Sequence, residues 1–206
     1  MDIYDKNLSR EKRDSLELAE ASRQKEWEYP SFVRELFYGR VPWELIYPFP
    51  EQSEEDKRIG AEYIDKLKNF LLQHLNPDEV DKNYEIPEPV IKGLIDLGAF
   101  AMKIPKEYDG LGLSQVNYNR AVHLISSYCG STAVMLSAHQ SIGVPLPLSL
   151  FGTEEQKKKF LPLFRKGAIS GFALTEPDAG SDPRTMKTTA VPTEDGKYYI
   201  INGEKL

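Results

Sequence analysis

The chain has 206 residues, 40% hydrophobic and 28% charged, an ordinary balance for a globular protein of one large domain or two small ones. Its net charge of −6, with no block of lysine or arginine that could line a phosphate backbone, argues against nucleic-acid binding. Cys129 is the one cysteine, so no intramolecular disulfide is possible and a reducing compartment fits.

The acidic opening, from Met1 to Asp5, lacks both the apolar core of a signal peptide and the arginines of a transit peptide. No apolar run approaches the length of a membrane span. The nearest, over residues 142–151, is broken by Pro145 and Pro147. The expectation is a soluble, cytoplasmic protein.

Residues 1–50 read as an N-terminal extension. Residues 9–23 carry only a thin apolar stripe and predict a weakly anchored helix. Phe32, Val33, Leu36 and Phe37 take helical spacing, which ends at Gly39. Tyr47-Pro48-Phe49-Pro50 is incompatible with a helix.

Residues 51–167 read as a helical body. Ser53 is the expected cap of a helix that carries Ile59, Tyr63, Leu67, Phe70 and Leu71, with acids in its first turn. Asn76-Pro77 ends it. A second helix runs from Pro87 to Leu97 and stops at Gly98. Residues 99–104 read as extended, and residues 105–112 as a glycine-rich loop. Ser114 opens a third helix, which Gly130 closes, and a fourth starts at Ser131 or Thr132. Thr153 and Gln156 form a capping box for a fifth, which Gly167 ends.

At Ala168 the hydrophobic period changes from helical to alternating, so residues 168–206 read as the start of a β-type domain. Residues 169–174 predict one strand and residues 197–201 another. Asn202-Gly203 is a strong two-residue hairpin signal. Only three residues follow it, so the expectation is a hairpin cut part-way inside an incomplete domain.

Chemistry is concentrated in Phe172-Ala173-Leu174-Thr175-Glu176-Pro177-Asp178-Ala179-Gly180-Ser181-Asp182. Gly180 lets a ligand approach the backbone, and Ser181 offers a hydroxyl and an amide to a phosphate oxygen. Thr175 stands where the strand ends. On the residues alone, the run reads more readily as a polar loop between strands than as a ligand site. His74, His123 and His139 share no metal-ligand spacing with each other or with Cys129, so no metal site is expected.

Leu174-Thr175-Glu176 followed by Ala179-Gly180-Ser181-Asp182 resembles the signature of the acyl-CoA dehydrogenase family. Thr185 departs from it, standing where the family usually has a small residue. Ile104-Pro105 with Tyr108 and Gly110-Leu111-Gly112, the run from Gly130 to Ala133, the run from Phe151 to Gln156 and the run from Asn202 to Lys205 agree in the family's order. Glu35-Leu36-Phe37, Pro48-Phe49-Pro50 and the run from His139 to Gly143 resemble the very-long-chain branch.

The resemblance implies a mainly α chain: the family's N-terminal helical bundle, then the first strands of an incomplete antiparallel β-barrel domain. It implies FAD as cofactor, with Phe172, Ala173, Leu174, Thr175, Gly180 and Ser181 as cofactor-binding residues and Ser181 also touching the substrate. It implies α,β-dehydrogenation of a long-chain fatty acyl-CoA, an electron-transfer flavoprotein as acceptor, and a homo-oligomer when complete. The family's catalytic glutamate lies in a later helical domain, so no catalytic base is expected in this chain and the chain alone is expected to be inactive. Ser131, Thr132, Ala133, Ser137, Ala138 and Gly143 serve either close helix packing or an acyl groove. An acyl-CoA oxidase of the same fold and a non-catalytic helical interaction module are the alternatives.

Overall fold

The structure is a computed structural model that describes residues 30–49 and 51–206. The predicted helix of residues 9–23 lies outside the described residues. The chain divides into two compact units, Met1–Gln52 and Ser53–Leu206.

In the first unit, helix α1 (Phe32–Phe37) forms as expected. The Ser31 hydroxyl accepts from the Arg34 amide at 3.4 Å, and Gly39 takes a φ of 72° beyond the helix end.

The second unit opens with α2 (Glu54–His74), capped by Ser53, whose hydroxyl accepts from the Asp56 amide at 3.2 Å. Asn76 does more than end this helix. Its side chain accepts from the amides of Asp78 and Glu79 and so starts α3 (Pro77–Asn83), with proline in the first turn, where no amide is needed. Helix α4 (Glu88–Asp96) follows, and Gly98 turns the chain with a φ of 75°.

Residues 99–104 are not extended. They form a 3₁₀ turn (Ala99–Ala101) and a bend, and Ala99, Phe100, Ala101 and Met102 are fully buried. A short run buried on every side shows no period, so sequence cannot distinguish turn from strand there. The carbonyls find partners without a sheet. The loop beyond folds back, and the amides of Leu111, Gly112 and Leu113 donate to Ala101, Ile104 and Met102.

Ser114 caps α5 (Gln115–Tyr128). Cys129 joins it directly to α6 (Gly130–Ser137), so Gly130 starts a helix rather than closing one. A π-turn (Ala138–Ile142) and α7 (Pro145–Phe151) continue the helical path. The prolines do not break it, because Pro145 sits in the first turn of α7. Consequently Gly130–Phe151 is a helical stretch of 22 residues that holds an 18-residue window of mean hydropathy 1.2, long and apolar enough to cross a membrane by length and composition. That corrects the expectation of no such run. Helix α8 (Glu154–Arg165) carries the predicted capping box, with Gln156 amide to Thr153 hydroxyl at 3.2 Å and Thr153 amide to Gln156 side chain at 2.9 Å.

The core sits between these helices around Leu67, Leu71, Leu94, Phe100, Ile125 and Leu136, each fully buried. Helix α2 meets α5 at Gly60. A side chain there would strike Asn117, which is buried and donates to the carbonyl and carboxylate of Asp56 at 2.8 and 2.9 Å. A smaller cluster of Ala101, Ile104, Tyr108, Leu161 and Phe164 sits under α8. The Tyr108 hydroxyl donates to Glu154 at 2.7 Å, and that bond, with burial, pushes its pKa up to about 12.

Two strand expectations change. Residues 169–174 form no strand, because their polar groups are engaged elsewhere: Ser170 with His139, and the carbonyl of Leu174 with the Lys205 ammonium. Instead β1 (Thr189–Pro192) pairs antiparallel with β2 (Tyr199–Asn202), in the register Thr189↔Asn202 to Pro192↔Tyr199. The chain reverses over residues 193–198, where Gly196 has a φ of 66° and Asp195 accepts from the Thr193 hydroxyl and the Lys197 amide. Asn202-Gly203 is therefore not the hairpin turn. Gly203 lies tight against Thr188, and the amide of Leu206 donates to the Thr175 carbonyl at 3.0 Å.

Candidate flavin loop and acyl groove

The loop over residues 172–182 is pinned from inside by Glu176. Its amide and carbonyl bond to the carbonyl and amide of Ala179 at 2.8 and 3.1 Å, closing a tight turn. Its side chain is only 5% exposed. One carboxylate oxygen accepts from the Lys187 amide at 2.6 Å. The other accepts from the Thr188 amide at 3.0 Å and the Lys205 ammonium at 2.9 Å. The Lys187 amide first, then Thr188 and Lys205, hold this carboxyl down at about 2. Lys205 also donates to the Leu174 carbonyl at 2.9 Å. One buried acid thus gathers the loop, the segment before β1 and the segment after β2.

That framework turns the other residues outward. Phe172 is 62% exposed, and Ala173, Thr175, Gly180 and Ser181 are exposed too, while Leu174 is half-buried. Thr175 and Gly180 come together: the one atom within 4 Å of a side chain built on Gly180 is the Thr175 methyl, at 3.9 Å. Among the described residues, no hydrogen bond engages the hydroxyls of Thr175 and Ser181 or the amides of Gly180 and Ser181. The rim is charge-neutral, with Lys187 on Asp178 at 2.6 Å and Arg184 on Asp182 at 2.8 Å. Thr185 is exposed and its hydroxyl donates to the Asp182 carbonyl at 3.0 Å, so its extra bulk meets no obstacle.

The small residues of α6 and the π-turn divide by position. Ala133, Ser137 and Ala138, with Val122, Val134 and Ile142, line a groove of about 440 Å³ between α5 and α6. Thr132 is fully buried and packs in the core. Ser131 faces a different pocket, beside Tyr84 and Ile91. Gly143 is reserved for packing, since a side chain there would strike the His139 carbonyl and the Ser170 hydroxyl.

Sequence reading placed Glu176 in the motif but gave it no role. Its partners lie 11, 12 and 29 residues away, and no local spacing reports them. His139 is buried, at 1% exposed, with its ring nitrogens against the Phe100 carbonyl and the Ser170 amide. Among the described residues no group of three metal-ligating side chains is present.

The sequence profile of the acyl-CoA dehydrogenase N-terminal domain matches residues 60–168, and that of the family's middle domain matches residues 171–206. The chain belongs to the acyl-CoA dehydrogenase family. It is 49% identical over 189 residues to the acyl-CoA dehydrogenase FadE10 of Mycobacterium tuberculosis, covering 92% of this chain and 29% of that one. It is 36% identical over 181 residues to the human mitochondrial very long-chain specific acyl-CoA dehydrogenase, covering 87% and 28%. Among solved structures it is similar to the acyl-CoA dehydrogenase of Bacillus anthracis complexed with FAD, with a TM-score of 0.61 and 36% identity over 75% of this chain and 26% of that one. The chain therefore spans less than a third of the length of these acyl-CoA dehydrogenases.

Proposed function

We propose that this chain is the N-terminal and early middle part of an FAD-dependent acyl-CoA dehydrogenase that introduces an α,β double bond into long-chain fatty acyl-CoA. The observation that carries the reading is the Glu176-pinned loop inside a chain of this family. It presents the Thr175 and Ser181 hydroxyls and two free amides on one exposed rim. Donors of this kind fit FAD: hydroxyls suit the polar edge of the ring and backbone amides beside a glycine suit a pyrophosphate. Phe172 offers an aromatic surface beside them. In this reading Phe172, Ala173, Leu174 and Thr175 hold the ring, Gly180 and Ser181 hold the pyrophosphate, and Ser181 also reaches the substrate.

Bound FAD would supply the acceptor for the β-hydrogen, leaving as hydride. The chain's own part is orientation and exclusion of water. The groove lined by Ala133, Ala138 and Ile142 receives the acyl chain. No acid of this chain is assigned as the base for the α-proton. Glu176 in particular is unsuited, since its carboxylate is saturated by three donors and held far below neutral pH. An electron-transfer flavoprotein as acceptor and a homo-oligomeric assembly belong to the same proposal.

The test uses the protein at its relatives' length, purified with its flavin. Palmitoyl-CoA added without oxygen should bleach the oxidised flavin band in one turnover, and Thr175→Val should shift that band. A colourless protein that takes up no FAD would end the proposal.

A further inference from the structure

We infer that His139 is a positioning residue, which holds the segment leading into the flavin loop in register with the acyl groove. This rests on the function proposed above. The imidazole Nε2 lies 3.0 Å from the Phe100 carbonyl, which can only accept, so Nε2 carries the proton. Nδ1 is then a bare lone pair, and it accepts from the Ser170 amide at 3.0 Å. The Ser170 hydroxyl lies 3.0 Å from the same nitrogen and accepts from the Val144 amide at 3.0 Å. The ring is packed between Phe100 and Phe164, with centroids at 5.4 and 5.1 Å. Burial pushes its pKa down, in keeping with the neutral form that this bonding pattern requires.

The position of this node gives it reach. His139 sits in the π-turn that also carries Ala138, Ser141 and Ile142 of the groove wall. Ser170 stands two residues before Phe172 and five before Thr175. One ring therefore ties the wall of the groove to the segment that places the flavin-facing hydroxyl. Gly143 keeps the junction close, because any side chain there would strike both the His139 carbonyl and the Ser170 hydroxyl. A π-turn interrupts the α-helical ladder, and such interruptions are frequent at functional sites.

Two substitutions separate the two bonds. His139→Gln keeps a donor toward the Phe100 carbonyl but removes the acceptor for Ser170. His139→Asn keeps an acceptor at the Nδ1 position and loses the donor. Both are made in the protein at its relatives' length, with two readouts. One is amide hydrogen exchange at Ser170 in FAD-stripped protein. The other is the flavin absorbance together with kcat and KM for palmitoyl-CoA. The Gln variant should exchange about tenfold faster at Ser170, shift the flavin band, and lose about tenfold or more in kcat with little change in KM. The Asn variant should recover the slow exchange and most of kcat. If the Gln variant does not fold, Ser170→Ala, which deletes the hydroxyl alone, must shift the flavin band. Faster exchange with an unchanged flavin and unchanged kcat would overturn the inference and leave the proposed function standing, as would an unshifted band in the Ser170 variant. A wild-type protein that takes up no FAD would overturn both.

Discussion

At Glu176 three donors converge on one carboxylate, and none of them is near it in sequence. The consequence for pH has a definite sign. The folded carboxyl titrates at about 2, below its ordinary 4.5, so the unfolded chain takes up this proton first. The stability that Glu176 contributes is fully present above about pH 4.5 and is lost as pH falls toward 2. Denaturant midpoints measured across that window should fall steeply in the wild type and less steeply in Glu176→Gln. Parallel curves would show that the carboxylate contributes nothing as an anion. Thr175 makes the complementary case, because its hydroxyl is free. In the flavin-loaded protein, Thr175→Val should change the flavin spectrum and reduction potential more than Ser137→Val does, by the loss of a bond worth about 1 kcal/mol. Equal spectra and potentials would remove Thr175 from the site. The letters of this loop were readable in the sequence, but the acid that shapes it was not. Its role depends on Lys187, Thr188 and Lys205 arriving from elsewhere in the fold.

Elements whose ends are set by neighbours in sequence were legible. Ser53, Ser114 and Thr153 cap the helices that their spacing predicts. Thr153→Ala should cost about 1 kcal/mol in the thermal or denaturant unfolding of the helical body. Elements set by distant partners were not legible. Residues 99–104 are turned rather than extended because residues 111–113 fold back onto their carbonyls. Strand β1 was missed because its apolar residues are few and only β2 completes it. Helix α7 was hidden by its own prolines. The contact of α2 with α5 gives a sharper test. Gly60→Ala forces a methyl into the buried Asn117 side chain, and should destabilise by about 1–3 kcal/mol. The groove gives a functional one. Ala138→Leu in the protein at its relatives' length should impair long acyl-CoAs more than short ones, because added volume blocks a packed channel. Uniform loss across chain lengths would mean that Ala138 only packs helices. Gly143 cannot serve in that experiment, since any side chain there strikes His139 and Ser170.

On the scale of the whole molecule, a well-packed helical body meets a sparsely packed β segment. Leu67, Leu71, Leu94 and Phe100 are fully buried, whereas Val191, Tyr199, Ile200 and Ile201 are each more than half exposed. A two-stranded ribbon with both strands exposed contributes little stability by itself. The chain covers less than a third of its relatives, and the central claim concerns what its loop and groove do together at that greater length. The most direct measurement is an anaerobic titration of the purified flavoprotein with palmitoyl-CoA and, separately, butyryl-CoA, following the oxidised flavin band. Stoichiometric bleaching by palmitoyl-CoA, with weaker bleaching by butyryl-CoA, is the predicted result. A flavin that stays oxidised with both, or a protein that holds no flavin, would contradict the account.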